Sequence, residues 1–342
     1  MTPSRFDGWV PIRVYTERGR PVVDWCHLGE DRFTEPFFDD TIQRCLRRPF
    51  NLLFRHQTPI DALGEWQALR AGLPPAGFIF HMSRCGSTLI AQMLAALPQN
   101  VVISEAGPID AMLRGTFHDS DGAPEVPDVT DSRRVAWLQW LISALGQRRR
   151  GDETHLFIKF DSWNALALPL VARAFPLVPW IFVYRNPVEV IVSHLKQRGA
   201  HTVPALIGPE IFQIHQAAAE RMTPEEYVAR VLASICRAAL QRLRTGAGAA
   251  VNYRALPDAM LSLLPAHWGL TVAEADRERM LDISRLDAKR SSFEFAADTA
   301  AKQRDATVLV RQMADIWLAP LYRELEDLSR SAPCNGSERL HT

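Results

Sequence analysis

Short apolar runs alternate with helical apolar stripes along most of the chain, and the places where one gives way to the other outline the fold. Residues 9–27, WVPIRVYTERGRPVVDWCH, read as two short strands around the turn Arg18-Gly19-Arg20. FTEPFFDDTIQRCLRRPF then reads as a helix starting near Pro36, and TPIDALGEWQALRAGLPPAG as a second helix stopped by Gly72 and Pro74-Pro75. These residues, about 1–75, form an N-terminal extension packed on the core domain. From Gly77 the pattern changes. GFIF predicts a buried strand, and in the helix after it Leu89, Ile90, Met93, Leu94 and Leu97 share one face. NVVIS, HLFIKF and PWIFVYR predict three more strands, with helices at RRVAWLQWLISALGQ and around NALALPLVARAF between them. Alternating β and α units argue for an α/β fold on a parallel sheet.

After residue 220 the chain reads as mostly helical. TPEEYVARVLASICRAALQRLR starts at a capping box on Thr223, AAVNYRAL is a last strand, and residues 298–328 form a terminal helix. The expected core domain is therefore 76–328, with 329–342 a disordered tail. The acidic, proline-bearing stretch 117–132 reads as a solvated loop, because its carboxylates lack the spacing of a calcium loop.

Composition narrows the function classes. The chain has 342 residues, 47% hydrophobic and 23% charged, as in a globular protein with a sizeable core. Lys plus Arg equals Asp plus Glu at 39 each, which argues against a nucleic-acid-binding surface while allowing a local basic pocket. No run approaches the ~18 apolar residues of a spanning helix. The N-terminus has no apolar core of signal-peptide length. Five cysteines without CxxC spacing fit reduced thiols in the cytoplasm. Ten histidines without HExxH spacing give no expectation of a metal site.

The stretch FIFHMSRCGSTLIAQMLAALP, residues 78–98, carries the first chemistry. A strand runs into a short polar loop and then a helix, so backbone N–H groups and the positive end of a helix dipole face a ligand. Gly86 permits close approach, Ser87 and Thr88 add hydroxyls, and Arg84 adds a planar cationic fork suited to phosphate or sulfate. The nucleotide-triphosphatase pattern fails twice, since His81 stands at its first glycine and no lysine follows Gly86.

SRCGSTL instead resembles the 5′-phosphosulfate loop of the sulfotransferase family, with arginine as the basic residue, as in the tyrosylprotein and carbohydrate branches. FVYRNPVEVIVSH resembles that family's 3′-phosphate motif, with Arg185 ending a strand and Ser193 in the next helix. The resemblance covers about residues 77–260. It implies a P-loop-like three-layer fold with a central parallel sheet, 3′-phosphoadenosine 5′-phosphosulfate (PAPS) as co-substrate, 3′-phosphoadenosine 5′-phosphate (PAP) as product, and a hydroxyl-bearing acceptor. It implies that Arg84, Cys85, Gly86, Ser87, Thr88, Arg185, Ser193 and Tyr253 bind the nucleotide, and that Arg84 also acts in catalysis.

Sulfuryl transfer by in-line displacement calls for a base at the acceptor and positive charge near the leaving oxygen. Glu105 closes the strand NVVIS at the sheet edge where ligands bind, and supplies a base. Lys159 lies in the otherwise apolar LFIKFD, where a lysine is costly unless it meets an anion, and Asp161 is placed to orient it. The family's late tyrosine segment resembles VNYRAL around Tyr253, with Arg254 in place of the usual glutamate. Lys289 is a candidate late phosphate contact. Histidines 81 and 194 lie close to the motifs, and packing suits His81 better than ligand contact. Two other classes stay open: an ATP-dependent kinase, disfavoured by the missing lysine, and a non-catalytic module that senses PAPS or PAP.

Overall fold

The computed structural model describes residues 6–115, 130–204, 206–246, 248–294 and 298–331. The chain divides into two compact units: residues 1–78 with 91–178, and residues 79–90 with 179–342.

In the first unit, strands β1 (Trp9–Glu17), β2 (Arg20–His27) and β3 (His56–Pro59) form an antiparallel sheet in that order. Val10, Val14, Val23, Trp25 and Cys26 are buried, and the Trp25 indole N–H donates to Thr58 Oγ1 at 2.9 Å. The polar segment HQTP shows no apolar alternation, which is why β3 was not legible. The helix Phe38–Leu46 buries Phe38, Thr41, Ile42 and Cys45, one face at helical spacing. It stops before Pro49, which opens a separate short helix, Pro49–Leu53. One helix was expected across this stretch. A proline interrupts a helix interior but suits a first turn, so two form instead.

The expected N-terminal extension lies wholly within this first unit and is tied to it through its backbone. The Gly72 N–H donates to Ser143 Oγ at 2.9 Å and the Leu73 N–H to the Gly146 carbonyl at 2.9 Å. Arg32 Nη2 donates to the carbonyls of Ala95 and Leu97, at the C-terminal end of the helix Ser87–Ala95. A cation there meets the negative end of the helix dipole and carbonyls the helix cannot pair itself.

Five strands hydrogen-bond in the order β5-β6-β4-β7-β8: β4 Pro75–His81, β5 Asn100–Ser104, β6 His155–Lys159, β7 Trp180–Tyr184 and β8 Gly248–Asn252. β5 and β6 run parallel with Ser104 opposite Lys159, and β7 and β8 run parallel with Tyr184 opposite Asn252. β5 and β7 are buried at every residue, as strands covered on both faces are. The α/β class and parallel sheet read from the sequence are present. The helix Gly107–Arg114, which follows β5, was not foreseen.

The second unit holds the long helix Pro224–Leu243, where Thr223 Oγ1 accepts from the Glu226 N–H at 3.2 Å, as the capping pattern predicted. The expected last strand 249–256 ends at Asn252, and Tyr253 opens a 3₁₀ turn instead. The helices Asp258–Trp268 and Glu274–Ser284 follow, then a hairpin of β9 (Leu286–Asp287) and β10 (Arg290–Glu294). The single terminal helix expected over 298–328 is three helices, Thr299–Asp305, Val308–Trp317 and Ala319–Ser331. Thr307 Oγ1 accepts from the Val310 N–H, a cap that starts a new helix where apolar periodicity alone reads straight through.

Residues 329–331, expected in the tail, are the last turn of that helix. The rest of the tail and residues 116–129 of the acidic loop lie outside the described residues, while Asp131 already starts the helix Asp131–Leu145. Among the described residues no helix is long and apolar enough to cross a membrane.

Candidate functional site

The predicted residues fall into two clusters, one in each unit. The first is the turn between β4 and the helix Ser87–Ala95. Five non-glycine residues among those described have positive φ: Arg18, Ser83, Arg84, Glu105 and Gln213. Two of them are consecutive in this turn, at φ 79° and 52°, and Gly86 follows at 87°. Left-handed backbone at ordinary residues is costly and persists where the surroundings enforce it, which functional turns do. Gly86 is required twice over, because a Cβ there would also lie 2.7 Å from the Tyr253 ring.

The turn is fastened by its side chains. His81 is buried and its Nδ1 accepts from the Ser83 N–H at 3.1 Å, which makes this histidine a brace for the backbone. The Cys85 thiol is buried and donates to the Val183 carbonyl at 3.1 Å, so the residue faces the core with its side chain. Ser87 and Thr88, both buried, open the helix. The Arg84 guanidinium donates to the Gln197 carbonyl at 2.8 Å and to Gln197 Oε1 at 3.4 Å, beside the C-terminal end of the helix Pro187–Lys196.

Arg185, immediately after β7, is joined to the same turn through Tyr253. Its guanidinium carbon lies 4.1 Å from the centre of the Tyr253 ring, and that ring packs on Gly86. The arginine is 4% exposed. Its Nε donates to Glu189 Oε2 at 2.6 Å, and its Nη2 to Asp298 Oδ1 at 2.7 Å and Thr299 Oγ1 at 3.2 Å. Burial works against the charge, but the bonds to Asp298 and Glu189 hold the group firmly protonated.

Ser193 lies half-buried in the helix Pro187–Lys196. Lys289 sits in the β9–β10 turn, its N–H on Asp287 Oδ1 at 2.9 Å. Buried His194 stacks edge-on against His201 at 5.1 Å. Burial first, then His201, Arg84, Lys289 and Arg198, push its pKa well below the usual histidine value, so it is neutral and unsuited to carry a proton.

The second cluster, in the other unit, centres on Lys159. This lysine is fully buried at the end of β6. Its ammonium donates to Ser104 Oγ at 3.2 Å and forms an ion pair with Glu105 Oε1. It also lies 5.1 Å from the centre of the Phe37 ring. Glu105 follows β5 directly, at φ 54°, and its N–H donates to the Lys159 carbonyl at 2.7 Å. The left-handed kink thus turns the carboxylate onto the lysine, whose residue stands opposite Ser104 in the strand register.

Asp161 is buried two residues beyond Lys159, where Asn164 Oδ1 accepts from its N–H at 3.2 Å. Burial, then the charges of Glu105 and Asp110, raise its carboxyl well above the usual range. Asp110 is fully engaged, accepting from Trp163 Nε1 at 2.6 Å, Asn164 Nδ2 at 2.8 Å and Arg114 Nε at 2.9 Å. Lys159 opposes that rise, and its own ion pair is with Glu105.

Sequence reasoning grouped the loop with Arg185 and Tyr253, and it named Asp161 as the residue orienting Lys159, whereas the lysine's ion pair is with Glu105. It missed Ser104 and Asp298. Ser104 was in view as the neighbour of Glu105. Asp298 is 113 residues from Arg185, and nothing local marks it.

Residues 75–227 match the model of the sulfotransferase family. That stretch contains the loop, Glu105, Lys159, Arg185 and Ser193. Tyr253, Asp298 and Phe37 lie outside it. No curated protein sequence matches the chain. Among solved structures the chain is similar to a sulfotransferase from Mycobacterium avium, at 11% identity over 75% of this chain and 80% of that one, TM-score 0.42. It is similar to the sulfotransferase domain of the Synechococcus olefin synthase, at 17% identity over 77% and 95%, TM-score 0.42. A sulfotransferase from Alicyclobacillus acidocaldarius aligns at 14% identity over 75% and 96%, TM-score 0.40.

Proposed function

We propose that the protein transfers a sulfuryl group from PAPS to a hydroxyl-bearing acceptor by in-line displacement. The observation that carries this reading is the turn 82–86. It has three left-handed residues, one of them an arginine, directly before a helix N-terminus inside the family-matched stretch. Backbone N–H groups, two hydroxyls and a guanidinium are donors that fit oxygen anions.

PAPS, when bound, supplies a sulfuryl group on a phosphosulfate anhydride, with PAP as the leaving group. The turn and Arg84 hold the 5′ side of the nucleotide. Arg185, braced by Tyr253, and Ser193 recognise the 3′-phosphate. Glu105 accepts the proton of the acceptor hydroxyl. Lys159, fixed by Ser104 and Glu105, places positive charge toward the sulfuryl oxygens. Asp161, its carboxyl raised by burial and by the charge of Glu105, leaves the ion pair with Lys159 to Glu105. Cytoplasmic residence is part of the same reading, supported by the buried cysteines Cys26, Cys45 and Cys236, which form no disulfide among the described residues.

The test is a thermal-shift and calorimetric comparison of PAP, adenosine 5′-phosphate (AMP) and ATP with magnesium. A ligand at 100 times its dissociation constant stabilises by about 2.7 kcal/mol, and PAP is expected to do so at the lowest concentration. Tighter binding of ATP would replace the reading with a kinase.

A further inference from the structure

The arginine assigned to the 3′-phosphate is already neutralised by the protein, and the manner of its neutralisation is informative. Asp298 precedes the helix Thr299–Asp305, in the position where an aspartate ordinarily caps the first N–H groups. Its carboxylate makes no such bond. One oxygen accepts from Arg185 Nη2 at 2.7 Å, and the other pairs with Lys302 Nζ at 2.6 Å.

The two cations are buried, with side chains 5% and 10% exposed, whereas the carboxylate between them is 48% exposed. Thr299 Oγ1 completes the ring, accepting from Arg185 and donating to Glu189 Oε2 at 3.3 Å. Glu189 is itself buried and held by Arg185 and by Gln303 Nε2 at 3.2 Å. Glu189 is therefore a permanent part of the scaffold. Asp298 is the solvent-facing anion, bridging a guanidinium and an ammonium as a phosphate would. The helix hydrogen bond from the Lys302 N–H runs to the Asp298 carbonyl and does not depend on the carboxylate.

We infer that Asp298 is an internal stand-in for the 3′-phosphate. Arg185, Thr299 and Lys302 form a preassembled anion cradle, and the nucleotide's 3′-phosphate displaces the carboxylate from it. The inference rests on the PAPS reading and deepens it. It adds Lys302 as a second cation for the 3′-phosphate, and it makes the carboxylate a competitor that sets the affinity. Two buried cations are never left without an anion, so the cradle stays intact between turnovers. An unphosphorylated 3′-hydroxyl cannot supply the charge needed to open it. Selectivity for PAP over AMP then arises from the exchange of one anion for another.

The experiment is calorimetry of the full chain with PAP and AMP, using wild type, Asp298→Asn and Lys302→Gln, each checked by its melting temperature without ligand. Asp298→Asn removes the competitor and is expected to tighten PAP about five- to tenfold with AMP unchanged. Lys302→Gln removes a charge-assisted contact and is expected to weaken PAP roughly tenfold or more, again with AMP unchanged. Unaltered or weakened PAP binding in a folded Asp298→Asn overturns the inference, as does an equal gain for AMP.

Hydrogen exchange on the wild type gives a readout independent of folding in the variants. PAP should change exchange across residues 299–305 and AMP should not, and no change with PAP overturns the inference. If PAP binds wild type no better than AMP, the PAPS reading itself fails. If PAP is preferred but neither variant nor the helix responds, the PAPS reading stands and only the cradle falls.

Discussion

The two clusters handle charge in opposite ways. The turn 82–86 and Arg185 work with fixed charge, guanidinium groups that stay protonated at any working pH, on backbone locked by glycine and left-handed strain. The cluster around Lys159 sets a buried ammonium against the Glu105 carboxylate, with the carboxyl of Asp161 raised above its ordinary value by burial and by the charge of Glu105. A protein that only bound a nucleotide would need the first arrangement alone. One that removes a proton from an acceptor needs the second, and substitutions can show whether binding and chemistry separate along this line.

The largest effect is expected at Glu105. Glu105→Gln keeps the shape but cannot take a proton, so turnover should fall about 10²–10⁴-fold while calorimetry finds near-normal PAP affinity. An unchanged rate would remove the chemical role from the second cluster. Next is Arg185→Ala, which should cost PAP roughly tenfold or more in affinity and leave AMP nearly unaffected. Equal losses for both ligands would mean that the arginine only supports the fold.

A smaller effect is expected for Gly86→Ala. Its Cβ would meet the Tyr253 ring at 2.7 Å in a conformation of φ 87°. Unfolding should show a stability loss of about 1–3 kcal/mol, with PAP affinity falling because Arg185 rests on the same ring.

The smallest effect sharpens the proton side. The Asp161 carboxyl is raised in the folded protein above its ordinary 3.8. The stability this contributes is fully present below that ordinary value. It is lost as pH climbs toward the folded-state pKa, since the unfolded chain ionises first. Asp161→Asn should therefore melt higher than wild type at neutral pH, and the gap should close toward pH ~4. A gap independent of pH would show that the Asp161 carboxyl is not raised.

Much of the molecule was readable in advance, for physical reasons that differ by region. Strands β4 to β7 were visible because burial on both faces makes them continuous apolar runs. Lys159 announced itself because a lysine in such a run has to find an anion. The terminal helices merged into one because a cap such as Thr307 interrupts the backbone without interrupting apolar spacing. The strand β3 and the helix Gly107–Arg114 carried too little pattern of their own and depend on what they pack against. Asp298 could not be found, because its role comes from a contact 113 residues away in sequence.

The first unit is assembled from two stretches of chain, 1–78 and 91–178. On a ribosome, the strands β1 to β3 and the helix that begins beside Phe37 emerge long before β6, on which Phe37 comes to rest. The amino-terminal segment has to wait for about a hundred further residues, carrying the loop-closure cost of that delay. Folding of this unit is governed by contacts distant in sequence, which slows it relative to a domain closed by its neighbours. Lys159 gains its aromatic neighbour only when that long closure is complete, so the arrival of this lysine in its finished setting reports that the first unit has folded.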